Sequence, residues 1–248
     1  MMPETPPPLP RHDWALFLDF DGTLVPLADH PRDTSVSEAL RHLVARLARE
    51  LGGAVAIISG RPVADLEALL APLDLPLAGV HGLEWRDTSG GYHSAVAHPE
   101  RLAACRDALA DFVAGHDGLH YEDKHVALAL HYRGAPELAD ECRHFMAEWQ
   151  QALGDDFEIV AGKCVIELRP AGVHKGTAIA RMLDDPAFQG RRPVFVGDDV
   201  TDEDAFREVN ARGGLSVRVG DGETAATYYL ESVKKVLTWL EHLPSRPT

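Results

Sequence analysis

Two carboxylates stand one residue apart in Asp19-Phe20-Asp21-Gly22-Thr23, directly after the apolar run Trp14-Ala15-Leu16-Phe17-Leu18. That run reads as a buried strand bounded by a turn. A pair of acids at the end of a buried strand is costly in an apolar setting unless something compensates it. A hard cation such as Mg2+, which takes oxygen ligands, would make the pair useful, with one aspartate acting as a nucleophile. Gly22 lets the chain turn sharply out of the strand. Taken alone, Asp-x-Asp-Gly also fits a plain turn or a fragment of a calcium loop. Against the calcium loop, Leu24-Val25-Pro26-Leu27 follows where an acidic ladder is needed.

Other chemistry-bearing residues fall at the ends of apolar runs. Ser59 follows Ala54-Val55-Ala56-Ile57-Ile58, His81 follows Leu77-Ala78-Gly79-Val80, and Asp198 follows Pro193-Val194-Phe195-Val196-Gly197. In open α/β sheets ligands bind at the carboxyl ends of the strands. Lys175 stands at the start of an expected helix, where it opposes the helix dipole, a cost that a role toward an anion would explain. Five acids lie within Asp198–Asp204. Glu203 and Asp204 suit a first helical turn, whereas Asp198 reads better as a third carboxylate for the cation of Asp19 and Asp21.

The elements that must hold these residues alternate. After the first strand a helix is expected from about Val36 to Leu51, with Ser35 and Glu38 as a capping box and Gly52-Gly53 as the stop. Strand, helix and strand then repeat through Val80, and the chain predicts an α/β fold with a doubly wound (Rossmann-like) parallel-sheet core. From residue 83 the order changes: a hairpin over 84–93, a helix over 100–114, a strand over 126–132, a helix over 136–153, and strands over 157–160 and 163–168. This predicts an inserted, smaller α+β domain at 83–168, with the core formed by 14–82 and 169–248. Residues 1–13 hold five prolines and no periodicity, and read as a disordered or extended leader. In the last strand of the inserted domain Lys163 and Glu167 would share one face, about 13 Å apart. Such a face is either solvated or holds the hydroxyls of a ligand.

A formal charge of −15 over 248 residues repels nucleic acid and anionic membranes, so an anionic substrate needs locally concentrated positive charge. Cys105, Cys142 and Cys164 form no C-x-x-C pair and read as structural thiols of a reducing compartment. No signal peptide or membrane span is apparent, and the expectation is a cytoplasmic monomer acting on a small molecule.

Together the order of these motifs resembles the haloacid-dehalogenase-type phosphotransferases with a C2-type cap. It runs D-x-D-G-T, a strand-end Ser, a helix-opening Lys and G-D-D-x-x-D. More narrowly, Phe17 to Leu24, Ile58-Ser59-Gly60-Arg61, Gly82-Leu83-Glu84 and Gly197 to Phe206 resemble the trehalose-6-phosphate phosphatase family. The resemblance implies that Asp19 attacks phosphorus to form an aspartyl-phosphate and that Asp21 serves as acid and then base. It further implies that Ser59 and Lys175 hold the phosphoryl oxygens. Mg2+ would be held by Asp19, Asp198 and the main chain of Asp21, with Asp199 and Asp202 as close support. The substrate would meet Gly22, Thr23, Arg61 and His81 in the core. In the cap, the family's sugar-reading pattern falls on Glu122, Lys124, Arg133, Lys163 and Glu167. Alternatives are a phosphatase or mutase of another sugar phosphate, such as sucrose 6-phosphate or mannosyl phosphoglycerate, or a non-catalytic sugar-phosphate-binding domain.

Overall fold

The computed structural model describes residues 5–28, 31–95 and 99–246. The chain divides into two compact units, Met1–His93 with His174–Thr248, and Ser94–Val173.

The first unit is built on strand β1 (Trp14–Leu18), all five residues of which are buried. It is followed by α1 (Glu38–Glu50), β2 (Val55–Ile58), α2 (Val63–Leu70), β3 (Leu77–Gly79), β4 (Glu84–Arg86) and β5 (Tyr92–Ser94). The second unit carries α3 (Ala103–Ala114), β6 (His120–Asp123), β7 (Leu128–His131), α4 (Ala139–Leu153), β8 (Phe157–Gly162) and β9 (Val165–Pro170). The first unit then resumes with α5 (Lys175–Met182), β10 (Arg192–Gly197), α6 (Glu203–Ala211), β11 (Leu215–Val219), β12 (Tyr228–Leu230) and α7 (Val233–Glu241).

The sheet of the first unit runs β12-β11-β10-β1-β2-β3-β4-β5 and is parallel from β12 to β3. Strands buried on both faces need no polar alternation, which is why β1, β2 and β10 read as unbroken apolar runs. Phe17 and Phe195 are register partners and so share one face, where Phe17 stacks on Phe188 at 5.1 Å and Phe195 meets Phe206 at 5.5 Å between ring centroids. From β1 the chain winds through α1 to β2, and from β10 it winds the opposite way through α6 to β11. The reversal falls between β1 and β10, whose carboxyl ends lie side by side, with Asp19 N–H donating to Val196 O at 2.9 Å. That is the switch point at which such sheets bind ligands.

Several expectations change. The hairpin over 84–93 belongs to the first unit's sheet: β4 adds antiparallel to β3 (Leu77↔Arg86, Gly79↔Glu84), so the inserted unit begins at Ser94 rather than at 83. At its other end the inserted unit runs to Val173 rather than to 168, because β9 continues to Pro170. Of the leader over 1–13, expected to be disordered or extended, residues 1–4 lie outside the described residues, and 5–13 lie against the first unit. Tyr229 N–H donates to Thr5 O (3.2 Å), the Trp239 indole N–H donates to Pro8 O (2.9 Å), and Pro7 and Pro10 are buried. Proline forbids regular structure there, yet its carbonyls and rings still dock. Ser37, not Ser35, caps α1, accepting from Leu40 N–H at 3.2 Å.

The second unit is a four-stranded antiparallel sheet, β6-β7-β9-β8, with α3 and α4 against one face. Leu128, Leu130, Ile166 and Leu168 point to those helices and pack with Leu109, Cys142 and Met146. Alternation then sends Glu122, Ala129, Glu167 and Arg169 to the other face. The strand expected over 163–168 starts two residues later. Lys163 and Cys164 form the β8–β9 turn, Cys164 sits at φ 61°, and the strand starts at Val165. Lys163 is therefore not on the strand face of Glu167.

Candidate active site

Asp19 leaves β1 at a position only 4% exposed. The next residues turn so tightly that Leu24 and Val25 N–H both donate to Phe20 O (2.9 and 3.1 Å) and Gly22 N–H donates to Val25 O (2.7 Å). Gly22 has φ 81°, and a Cβ there would fall 2.1 Å from Asp198 Oδ2. Only glycine lets the β1 and β10 loops approach this closely. Thr23 is fully buried, its hydroxyl 3.3 Å from Asp19 Oδ2 and 3.2 Å from Asp198 Oδ1. One hydroxyl proton serves one of these carboxylates at a time.

Lys175 is the first residue of α5, after a capping box formed by His174 and Thr177. Its buried ammonium donates to Asp19 Oδ1 and to Asp202 Oδ1, each at 2.6 Å. Burial alone would lower its pKa, but Asp19 and Asp202 outweigh that and hold it above the usual lysine range. The other oxygen of Asp202 accepts from Asp199 N–H at 2.9 Å, in space that a Cβ on Gly197 would occupy, 2.4 Å from Asp202 Cγ. Asp202 thus commits both oxygens, one to the lysine and one to the main chain. Asp199 is exposed and caps the short 3-10 turn Val200–Asp202.

One ammonium does not balance what faces it. Asp19, Asp198 and Asp202 each bring an oxygen within 4.8 Å of the others. Burial, opposed by Lys175 and reinforced by Asp202 and Asp198, pushes the Asp19 carboxyl well above the ordinary range. Burial and then Asp202 push Asp198 up as well. A divalent cation fits this arrangement: the donors are all oxygens, and Asp19 Oδ2 and the Asp198 carboxylate are the ones not held by Lys175. The side chains of Asp21 and Asp199 are not in that cluster.

Asp21 instead meets Arg61, whose Nε donates to Oδ2 at 2.6 Å and whose Nη2 donates to Oδ1 at 2.8 Å. Ser59 is buried at the end of β2, its Oγ accepting from Arg61 N–H at 3.1 Å. His81 N–H donates to Ser59 O (2.9 Å) with φ 57°, and its ring lies where a Cβ on Gly60 would be 2.8 Å from Nε2. The strand-end residues Asp19, Ser59, His81 and Asp198 and the helix-opening Lys175 all belong to this one unit. Thr34, whose Oγ1 accepts from Arg61 Nη2 at 2.6 Å, carries no sequence signal, being one hydroxyl in a loop. Glu84, within the quoted motif Gly82-Leu83-Glu84, accepts from Val63 N–H at 2.5 Å and thereby caps α2.

In the second unit Lys124 donates to Glu167 Oε2 at 2.8 Å, both residues only 8% exposed. Burial would lower the lysine's pKa, but Glu167 and Glu122 raise it above its usual value. Glu122 lies 3.3 Å from His131 Nε2, a contact that outweighs burial and holds its carboxyl below the usual range. Glu122, Lys124 and Glu167 thus share one region of the sheet. Arg133 and Lys163 are exposed in the turns after β7 and β8, at the opposite end, where Tyr132 N–H donates to Cys164 O.

The family model described as trehalose-phosphatase matches residues 17–234. The chain is 41% identical over 242 residues to the trehalose-6-phosphate phosphatase of Escherichia coli K12, covering 96% of this chain and 88% of that protein. It is 45% identical over 211 residues to a probable trehalose-phosphate phosphatase of Sinorhizobium fredii NGR234, covering 84% and 78%. The C-terminal domain of the Candida albicans trehalose-6-phosphate phosphatase superposes with a TM-score of 0.80 at 27% identity, covering 93% of this chain and 91% of that one.

Proposed function

The chain belongs to the trehalose-phosphatase family, and we propose that it hydrolyses trehalose 6-phosphate to trehalose and phosphate through an aspartyl-phosphate on Asp19. The observation that carries this reading is the buried carboxylate of Asp19 at the switch point of the sheet, 2.6 Å from Lys175 Nζ and beside Asp198.

In the first step an Asp19 oxygen attacks phosphorus. The bond from phosphorus to the sugar oxygen breaks, its electron pair stays on that oxygen, and Asp21 supplies the proton. In the second step Asp21 takes a proton from water, water oxygen attacks phosphorus, and the bond to Asp19 breaks. Proton transfer of this kind is worth about 10²–10⁴-fold. Lys175, held in place by Asp202, balances charge on the transferring group, and Ser59 adds a hydroxyl beside it. Asp19, Asp198 and the main chain of Asp21 are the groups we assign to Mg2+, which when bound supplies positive charge to the phosphoryl oxygens. Gly22, Thr23, Arg61 and His81 line the same end of the sheet and are assigned to substrate.

Glu122, Lys124 and Glu167 are assigned to the sugar, with Arg133 and Lys163 as outlying contacts. A neutral disaccharide offers only hydroxyls, and a site built to pair them rejects sugars that leave a buried charge unpaired. No helix among the described residues is long and apolar enough to cross a membrane. The working assignment is a cytoplasmic monomer, checked by its hydrodynamic radius and by cell fractionation. The functional test is phosphate release from a panel of sugar phosphates. Trehalose 6-phosphate is expected to give the highest kcat/KM, and a better sugar phosphate would overturn the substrate assignment.

A further inference from the structure

Arg169 stands two places beyond Glu167 on β9, on the sheet face turned away from α3 and α4, and is only 7% exposed. Side chains two apart on a strand lie about 7 Å from one another on the same face. Its Nε donates to Glu158 Oε1 at 3.0 Å across the β8–β9 ladder, where the two residues are register partners. A guanidinium carries five N–H donors. Glu158 is the one hydrogen-bond partner of this guanidinium among the described residues, so Nη1 and Nη2 are unspent, and neither is sealed from solvent.

The pair with Glu158 does not account for this burial. The Arg169 side chain is 8% exposed and that of Glu158 37%, and a carboxylate that water reaches returns little for desolvating a guanidinium. The buried arginine is short of acceptors, beside the Lys124–Glu167 pair assigned above to the sugar. Its nearness shows at Lys124. After burial, which lowers the pKa of that lysine, and Glu167 and Glu122, which raise it, the charge of Arg169 acts on it too, lowering it.

We infer that Arg169 is a specificity-determining residue, whose Nη1 and Nη2 donate to sugar oxygens next to those held by Lys124 and Glu167. The inference rests on the assignment of that pair to the sugar. Uncharged hydroxyls suit this face better than a second anion. The positive charges of Lys124 and Arg169 meet the negative charges of Glu122, Glu158 and Glu167, so positive charge is not concentrated there. A guanidinium also presents its donors in one rigid plane, which fixes where the hydroxyl oxygens must lie. Opposite Glu167 the neighbouring strand carries Ala129, whose methyl takes little of the space above the sheet.

Two variants and two esters separate sugar contact from a merely structural role. For Arg169→Met, kcat/KM for trehalose 6-phosphate is expected to fall about tenfold or more, as for losing one charge-assisted hydrogen bond, and that for p-nitrophenyl phosphate, which has no sugar, less than about threefold. Glu158→Gln weakens the ion pair and keeps the guanidinium. It should cost less than about threefold on either ester, because an exposed partner contributes little. If Arg169→Met does not fold, Arg169→Lys, which keeps the charge but not the fork, carries the same comparison. Equal losses on both esters, no loss on trehalose 6-phosphate, or a Glu158→Gln variant as impaired as Arg169→Met would overturn the inference. A wild-type protein that cleaves another sugar phosphate but not trehalose 6-phosphate would sink the substrate assignment alone, and the comparison then runs with that ester. No turnover of any ester would overturn both.

Discussion

Replacing Lys175 by methionine removes the one ammonium between two buried carboxylates while keeping most of the side-chain volume. Its side chain is 3% exposed, that of Asp19 6% and that of Asp202 0%, so solvent cannot take over its role. Breaking a buried pair by deleting one partner costs about 3–5 kcal/mol, because the other charge is left uncompensated. For a chain of this size each kcal/mol moves Tm by roughly 2–4 °C, so a fall of about 6–20 °C is expected by thermal melting. Turnover of trehalose 6-phosphate should fall at least about 10²-fold, the scale of losing one group that stabilises transition-state charge. The double variant Lys175→Met, Asp202→Asn removes one of the stranded carboxylates. It should recover part of the lost Tm and none of the turnover, which divides the stabilising role of the lysine from the catalytic one. A Lys175→Met protein that melts within about 2 °C of the wild type would refute the reasoning that this ammonium compensates the cluster.

Gly22→Ala should destabilise the protein and abolish turnover, since its Cβ would sit 2.1 Å from Asp198 Oδ2 in a left-handed backbone. Thermal melting with a phosphate-release assay checks it. Asp19 and Asp198 have carboxyl pKa values raised by folding. Between the unfolded and folded values the native state holds more protons, so metal-free stability should decline as pH rises through that window. Mg2+ displaces those protons, and its stabilisation should therefore grow with pH, as followed by melting with and without Mg2+ or EDTA. Glu167→Gln leaves Lys124 buried beside a neutral amide. It should lower kcat/KM for trehalose 6-phosphate by about tenfold or more, the range for one unpaired polar contact, with less effect on p-nitrophenyl phosphate.

The strand-end site was legible because β1, β2 and β10 are buried on both faces: their runs are apolar without interruption, so Asp19, Ser59 and Asp198 stand out as abrupt polar ends. Lys175 could be placed at a helix start from the sequence, but its partners could not. Nothing in the run Asp198–Asp204 says that Asp202 turns back to the lysine while Asp199 caps a turn; the missing Cβ of Gly197 makes the room, and that is a three-dimensional fact. The slip at Lys163 has a local cause. Cys164 adopts a left-handed conformation that sequence rules reserve for glycine or asparagine, so the turn was invisible and the strand was started two residues early. β6 and β12 are too short to show a period, and the docking of residues 5–13 rests on carbonyls rather than on any apolar pattern.

The most direct test is to mix the enzyme with trehalose 6-phosphate and Mg2+, quench rapidly in acid, and map the adduct by peptide mass spectrometry. A phosphoryl group is expected on Asp19, absent in Asp19→Asn, with the variant still binding the sugar phosphate. A phosphoryl group on another residue, or an Asp19→Asn protein that turns over at the wild-type rate, would contradict it.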